Sequence, residues 1–471
     1  MSKIILNSKK FTLNDQFKFI KFSGDKNPLH FSKEYAVKSL TGKPIVHGVN
    51  ILLWSLESFE KKYPNFKKTI LFEKVDFLHH ININEKVTCY YNKNKNHIIV
   101  KNFNAELVKI KLAHYSYTNF FINKKKILKN SNKICKNKIS DFKIGMKIDY
   151  PIYSNYKYAK ELFPILSKKY GNSFVSFIAN LSSLIGMYVP GKNSMLLSIS
   201  FKIDNSIKKK LIKVLRVDTR FNVIDLNVLH SNCNVLIRSI FRPEATKPKS
   251  LSYVRRIIPK TNFYRQKKIL IIGGSRGLGA YMVKILSLLG SNILFTYNTC
   301  VKDGYKLLKE VTEYNKKVKL IKFDVLKYDS NSILKFDPDY VFYFATPKIF
   351  IKRSNTFDEK LLKEFSSYYS KSFKNILSKF NRKNLKIIYY PSTIAIEESP
   401  DKYPEYVKSK LLGEKIAKKI AKQKKIKLII DRLPRSSTDQ TITHLKIKSQ
   451  DPLELMINVI KNIYQNHIIQ Q

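Results

Sequence analysis

Among 471 residues there are four cysteines, one tryptophan, 14 glycines and 35 acidic side chains against 88 basic ones. Each scarcity excludes something. Cys89, Cys135, Cys233 and Cys300 are scattered without metal or redox spacing, so neither a disulfide framework nor a cysteine metal site is expected. Free thiols fit a reducing compartment, and the cytoplasm is the expected location. No apolar run approaches a membrane span, and "MSKIILNSKKFTLNDQF" is broken by charge before an apolar core of signal-peptide length can form. The shortage of acids leaves a formal charge of +53. Lysines lie along the whole chain among Asn, Ile, Tyr and Phe, which is a compositional bias and argues against a specific nucleic-acid partner. A diffuse basic surface still steers acidic or phosphate-bearing ligands inward.

The length suits about three domains, each able to bury a core. Two basic, polar stretches, "NKKKILKNSNKICKNK" (123–138) and "PEATKPKSLSYVRRIIPKTNFYRQKK" (243–268), are expected linkers. They bound segments 1–122, 140–245 and 267–471. In the first, apolar positions after His47 recur at helical spacing, and "KTILFEKVDFL", "EKVTCYY" and "AHYSYTNFF" follow as strands. A long apolar helix before a strand meander predicts an antiparallel sheet curled around one helix. The second segment repeats that order, with "SFVSFIANLSSLIGMYVPG" as the helix. In the third, "KKILIIGGSRGLGAYMVKILSLLG" is strand, glycine turn and helix, and later strands alternate with helices, as in a doubly wound parallel sheet.

The first chemical cluster is "SGDKNPLH" with "GKPIVHG" downstream. Together they resemble the MaoC-type, R-specific enoyl-CoA hydratases of the hot-dog fold, and the second segment resembles the second half of a double hot dog. The resemblance implies that Asp25 and His30 hold a water between them, one able to deprotonate it and the pair able to protonate the alpha carbon of an enoyl thioester. It assigns to the Gly48 N–H the thioester oxyanion, with the missing side chain giving room for the thioester. Asn27 is expected to order the loop, and His47 to cap or pack the helix start. The second segment has no acid–histidine pair and reads as a catalytically degenerate copy.

The second cluster is "GGSRGLG", with glycines at 273, 277 and 279, a loop that brings N–H groups to a pyrophosphate. Tyr406 and Lys410 in "YVKSK" share a helix face, and Thr393 ends a strand 13 residues earlier. This set resembles the short-chain dehydrogenase/reductase family. The resemblance makes Tyr406 the general acid or base, Lys410 the cation that lowers its pKa and holds the ribose, and Thr393 the hydroxyl at the substrate carbonyl, with Ser392 as fallback. Gly273, Ser275, Arg276, Gly277, Leu278, Gly279 and Asp324 fall at the cofactor positions. The second strand, "NILFTYN", ends without an acid for an NAD ribose, and Arg276 lies where a 2′-phosphate could be met, so NADP(H) is expected over NAD(H). "FATPK" replaces the family's Asn-Ala-Gly, "FSSYYSKSF" offers no catalytic Asn, and "DRLPR" stands where Pro-Gly is common.

The fold class expected is an α+β double hot dog followed by an α/β Rossmann-like sheet, without a metal site. The function expected is a bifunctional enzyme, enoyl-thioester hydratase or 3-hydroxyacyl dehydratase plus NADPH-dependent 3-oxoacyl-thioester reductase. Its partners would be CoA or acyl-carrier-protein thioesters and, by resemblance, a second copy in a homodimer. The alternative is a reductase whose hot-dog region only binds thioester or dimerises.

Overall fold

The computed structural model describes residues 3–64, 69–103, 105–115, 134–152, 155–207, 209–230, 232–244, 246–327, 331–349, 356–380, 384–443 and 447–468. Most of the first expected linker, and the end of "AHYSYTNFF", lie outside these. The chain divides into two compact units, Met1–Glu244 and Ala245–Gln471. Among the described residues no helix is long and apolar enough to cross a membrane.

The first unit runs β1 (Lys3–Lys10), α1 (Leu13–Ser23), α2 (Gly48–Lys62), β2 (Thr69–Phe77), β3 (Lys86–Asn92), β4 (His97–Lys101) and β5 (Glu106–Tyr115). It continues with α3 (Pro164–Tyr170), α4 (Asn172–Ser183), β6 (Ser194–Ile203), β7 (Leu211–Asp218), β8 (Val223–His230) and β9 (Cys233–Phe241). The strands form one nine-stranded sheet, β1-β3-β4-β5-β2-β6-β9-β8-β7, with antiparallel pairing throughout. Apart from the edge strand β1, which has no counterpart, the two halves present the same strand order inward, β3-β4-β5-β2 against β7-β8-β9-β6, and they meet where Lys74–Asp76 of β2 pair with Ser198–Ser200 of β6.

Side chains alternate across the sheet, as β9 shows by burying every second residue for most of its length. The inner face wraps α2 and α4, which are buried nearly all round and pack on each other, the pattern of core helices. With glycine scarce, Asn takes the left-handed turn positions of the hairpins: Asn96 (φ 48°) between β3 and β4, Asn222 (56°) between β7 and β8, and Asn232 (65°) between β8 and β9.

The second unit runs β10 (Lys268–Ile272), α5 (Gly277–Leu288), β11 (Asn292–Tyr297), α6 (Val301–Thr312), β12 (Val318–Lys322), β13 (Tyr340–Tyr343), α7 (Glu359–Ser366), β14 (Ile387–Thr393), α8 (Pro404–Lys424), β15 (Lys427–Leu433) and α9 (Pro452–Ile468). Its sheet is parallel, in the order β12-β11-β10-β13-β14-β15. Connections reverse direction between β10 and β13, which opens a ligand crevice at the carboxyl ends of those strands. The stretch 246–266, expected to be linker, belongs to this unit instead. Leu251, Val254 and Tyr264 are buried in its core, and the Tyr264 hydroxyl donates to Ile460 O at 2.8 Å. Apolar side chains inside a basic stretch overrode its polar composition.

The two halves of the first unit are also tied by Glu57 of α2, whose carboxylate accepts the Ile165 and Leu166 N–H groups at 2.9 Å each and so caps α3. Glu57→Ala is expected to cost about 1–2 kcal/mol. The check is the urea midpoint of Trp54 fluorescence, since Trp54 is the sole tryptophan, buried edge-on to Phe11. An unchanged midpoint would show the cap to be dispensable.

Candidate active sites

Helix α1 stops at Gly24, whose φ of 76° is left-handed, and the chain turns at once into the cluster loop. Asp25 is 2 % exposed. Its Oδ1 accepts the Asn27 N–H at 3.1 Å. Asn27 caps the short turn Pro28–His30 by accepting the Leu29 N–H, and its own amide donates to Gly186 O at 3.0 Å and Lys192 O at 3.1 Å. That turn aims His30 back at the acid. The His30 Nδ1 faces Ile45 O at 2.9 Å, so the proton sits on Nδ1 and the bare Nε2 lies 3.8 Å from Asp25 Oδ2.

His47 occupies the N-cap of α2 without capping it through its side chain. Its ring stacks on His30, centroids 3.6 Å apart and 22° from parallel, while Nδ1 bonds Gln16 Oε1 at 2.9 Å and Nε2 stands 3.9 Å from Asp25 Oδ2. Asp25, His30 and His47 thus place three donor atoms within 4.8 Å of one another. Both His47 nitrogens face oxygen acceptors, Gln16 Oε1 and, at 3.3 Å from Nε2, the Asp25 carbonyl. Gly48 begins α2, where first-turn N–H groups have no intrahelical acceptor. A Cβ on Gly48 would meet the Phe77 ring at 3.0 Å, so the missing side chain also makes room for that ring.

Sequence reasoning missed what the second half supplies. Ser182 of α4 donates to Asp25 Oδ2 at 2.7 Å, and Gly186, one turn on, has no space for a side chain because its Cβ would fall 2.3 Å from Asp25 Oδ1. The only sequence signal was a lone glycine in a buried apolar helix. Burial raises the pKa of Asp25, while the His30 charge and the Ser182 and Asn27 hydrogen bonds pull it back. Burial lowers that of His30, against the upward pull of the nearby carboxylate and of the Ile45 carbonyl.

In the second unit the glycine turn follows β10. Gly273 has φ 79°, its N–H donates to Thr296 Oγ1 at 2.9 Å, and a Cβ on Gly279 would lie 2.3 Å from Gly273 O. These positions require glycine, and α5 starts at Gly277, where first-turn N–H groups have no intrahelical acceptor. Ser275 is buried in the turn and Leu278 half-buried. Asp324 follows β12 and accepts the Leu326 N–H. Arg276 forms an ion pair with Asp439, from the segment after β15. The residues fit a dinucleotide pyrophosphate, with Arg276 held by a carboxylate rather than extended.

Thr393, Tyr406 and Lys410 come together at the carboxyl end of β14 and the start of α8. Tyr406 is hydrogen-bonded to Thr393, but burial dominates and pushes its pKa up to about 12. The Lys410 ammonium is itself buried, its pKa brought down to about 7, and donates to Pro391 O at 2.7 Å. Ser392, the fallback hydroxyl, donates to Glu414 Oε1 at 2.5 Å, and that carboxylate also takes a forked pair from Arg432. Thr393 is the hydroxyl left facing Tyr406.

The family model described as "MaoC like domain" matches residues 5–112. No curated protein matches the sequence. Similar solved structures include an alcohol dehydrogenase from the archaeon Thermococcus sibiricus complexed with 5-hydroxy-NADP, at 17 % identity over 43 % of this chain and 91 % of that one, TM-score 0.38. A putative short-chain dehydrogenase from Escherichia coli CFT073 complexed with NADPH is 13 % identical over 43 % and 92 %, TM-score 0.37. A short-chain dehydrogenase/reductase from Serratia marcescens is 17 % identical over 42 % and 89 %, TM-score 0.37.

The Ser182 hydrogen bond favours ionised Asp25, so Ser182→Ala is expected to raise the Asp25 pKa further. The pH at which the Asp25 carboxyl loses its proton, followed by its infrared carboxyl band against an Asp25→Asn control, would then move higher. A titration that stays in place would mean that Asp25 is held without Ser182.

Proposed function

We propose that this chain, which carries a MaoC-like domain at residues 5–112, is a bifunctional acyl-thioester enzyme. One site adds water to, or removes it from, an (R)-3-hydroxyacyl thioester, and the other reduces a 3-oxoacyl thioester with NADPH. The first unit is read as a double hot dog, with halves at residues 1–122 and 140–245, and the second as a short-chain reductase. The observation that carries the reading is the bare His30 Nε2 set 3.8 Å from Asp25 Oδ2, with its tautomer fixed by Ile45 O.

Two acceptors at that separation can both reach one water. As the water oxygen bonds to C3, His30 Nε2 takes its proton, and the pair returns a proton to C2, so both groups end as they began. Charge gathering on the thioester oxygen meets the Gly48 N–H at the start of α2. Ser182 and Asn27 favour the ionised carboxylate against the burial that raises its pKa, and they hold it pointed at the water.

In the second unit Gly273, Ser275, Arg276, Gly277, Leu278 and Gly279 would hold the cofactor phosphates, Asp324 the adenine and Lys410 the ribose. When bound, NADPH supplies the hydride. The protein's own part is the proton: Tyr406, protonated at neutral pH, gives it to the oxygen that becomes the alcohol, while Thr393 orients the carbonyl. A phenol held in its acid form suits reduction better than oxidation, and with NADPH it points to reduction followed by loss of water. The 3-hydroxyacyl thioester is then the product of one site and the substrate of the other.

Mass analysis of (R)-3-hydroxybutyryl-CoA incubated with the purified protein tests both halves. Loss of one water without cofactor, abolished in Asp25→Asn, is expected from the first site. Loss of two hydrogens only with NADP⁺, abolished in Tyr406→Phe, is expected from the second. Dehydrogenation alone, indifferent to Asp25→Asn, would instead make the first unit a thioester-binding module. Absence of both products here and on the matching carrier-protein thioester would overturn the reading.

A further inference from the structure

Lys410 is a buried ammonium with an unusual set of neighbours. It is 6 % exposed, and no carboxylate lies within ion-pair distance of it among the described residues. Buried lysines normally require such a partner. What surrounds it is aromatic: Nζ stands 4.0 Å from the ring centroid of Tyr369, 5.2 Å from that of Tyr390 and 5.9 Å from that of Tyr406. It donates a hydrogen bond to a backbone carbonyl, Pro391 O. On its own helix the Glu414 charge favours the ammonium through space, but that carboxylate makes its hydrogen bonds with Arg432 from β15 and Ser392 from β14.

Tyr369 reaches this position through a local irregularity. The helix that continues from α7 widens into a π-helical stretch, Ser367–Ser372, which admits one extra residue into the turn and shifts its side chains around the axis. The ring is then fastened at both ends. Its hydroxyl pairs with Thr346 Oγ1 at 2.5 Å, in the loop after β13, and its carbonyl accepts the Tyr390 hydroxyl at 3.1 Å. Helix α8 leaves a notch for this arrangement at Gly413, where a Cβ would fall 1.8 Å from Tyr390 Oη and 2.7 Å from Tyr369 O. Plain core packing with Phe365 and Tyr406 would also bury the ring. It would not require a ring face within 4.0 Å of a cation, which is the geometry at which the aromatic quadrupole attracts it.

We propose that Tyr369 is a positioning residue for the reductase, its ring face standing in for a carboxylate to hold the Lys410 ammonium beside Tyr406. This rests on reading Tyr406 and Lys410 as the reductase pair. A ring steadies the positive charge yet cannot accept its proton, so the ammonium remains intact next to the group that must donate one. The titratable groups facing Lys410 are Tyr369 from the π-helical stretch, Tyr390 from β14, and Tyr406 and Glu414 from α8.

The test is the pH dependence of NADPH oxidation by the full chain with acetoacetyl-CoA. Losing the ring face removes a preference for the charged amine, so Tyr369→Leu is expected to lower kcat about tenfold and to move the alkaline limb toward acid by about one pH unit. Tyr369→Phe keeps the face and is expected to keep the wild-type limb. Because Tyr369→Leu can fail to fold, a series of fluorinated phenylalanines at position 369, equal in shape but progressively weaker in quadrupole, is run beside it. A limb that moves acidward step by step with fluorination supports the proposal. A limb unmoved by fluorination, or moved fully by Tyr369→Phe, overturns it. Wild-type protein that binds NADPH but turns over no 3-oxoacyl thioester would overturn the reductase reading itself, and the proposal with it.

Discussion

A carboxylate taken almost wholly out of water has to be met by donors from the protein, and at Asp25 they come from places far apart in the chain. The Asn27 N–H is local, whereas the Ser182 hydroxyl arrives from a helix more than 150 residues away. Each donor is worth more in a low-dielectric interior than at the surface, and its loss would leave a charge stranded. Much of the first unit is arranged so that this meeting occurs. Helices α2 and α4 pack together, Asn27 is bonded to the backbone beyond α4, Gly186 carries no Cβ, and Glu57 ties α2 to the helix before α4.

The same burial acts on the second unit with opposite signs on opposite charges. Tyr406 is driven toward its neutral phenol and Lys410 toward its neutral amine. In the proposed reduction the phenol is the useful form, since it can donate a proton. The same proposal needs the lysine charged, and the aromatic rings offer an environment that favours the cation without adding a base. The two sites therefore solve one problem, keeping a charge where water is excluded, with different materials.

How much of this was legible in the sequence follows from how local each feature is. The loop around Asp25 and His30, the glycine turn and the Tyr406–Lys410 spacing are each written within a dozen residues, and such patterns can be read without a fold. The strand–helix alternation after residue 267 carried the parallel sheet for the same reason. Ser182 and Gly186 were not legible, because their meaning depends on a contact with a loop more than 150 residues away, and a serine in an apolar helix has no signature of its own. Tyr369 was hidden in "FSSYYSKSF", where nothing in the spacing announces a π-helical turn. The stretch 246–266 misled because lysines and arginines outnumber the three apolar side chains that decide its burial.

The seam where β2 meets β6 bears on how the first unit behaves on dilution. Two separate chains sharing such a sheet would part at low concentration, each then presenting an unpaired strand edge. Here the halves belong to one chain, and their encounter is intramolecular, at an effective concentration that dilution does not change. The amount of complete site then scales linearly with the amount of protein, down to the lowest levels. Such a tether also lets the halves specialise, one keeping the acid and the imidazole while the other keeps a hydroxyl and an absent side chain, since neither is ever required to work with a copy of itself.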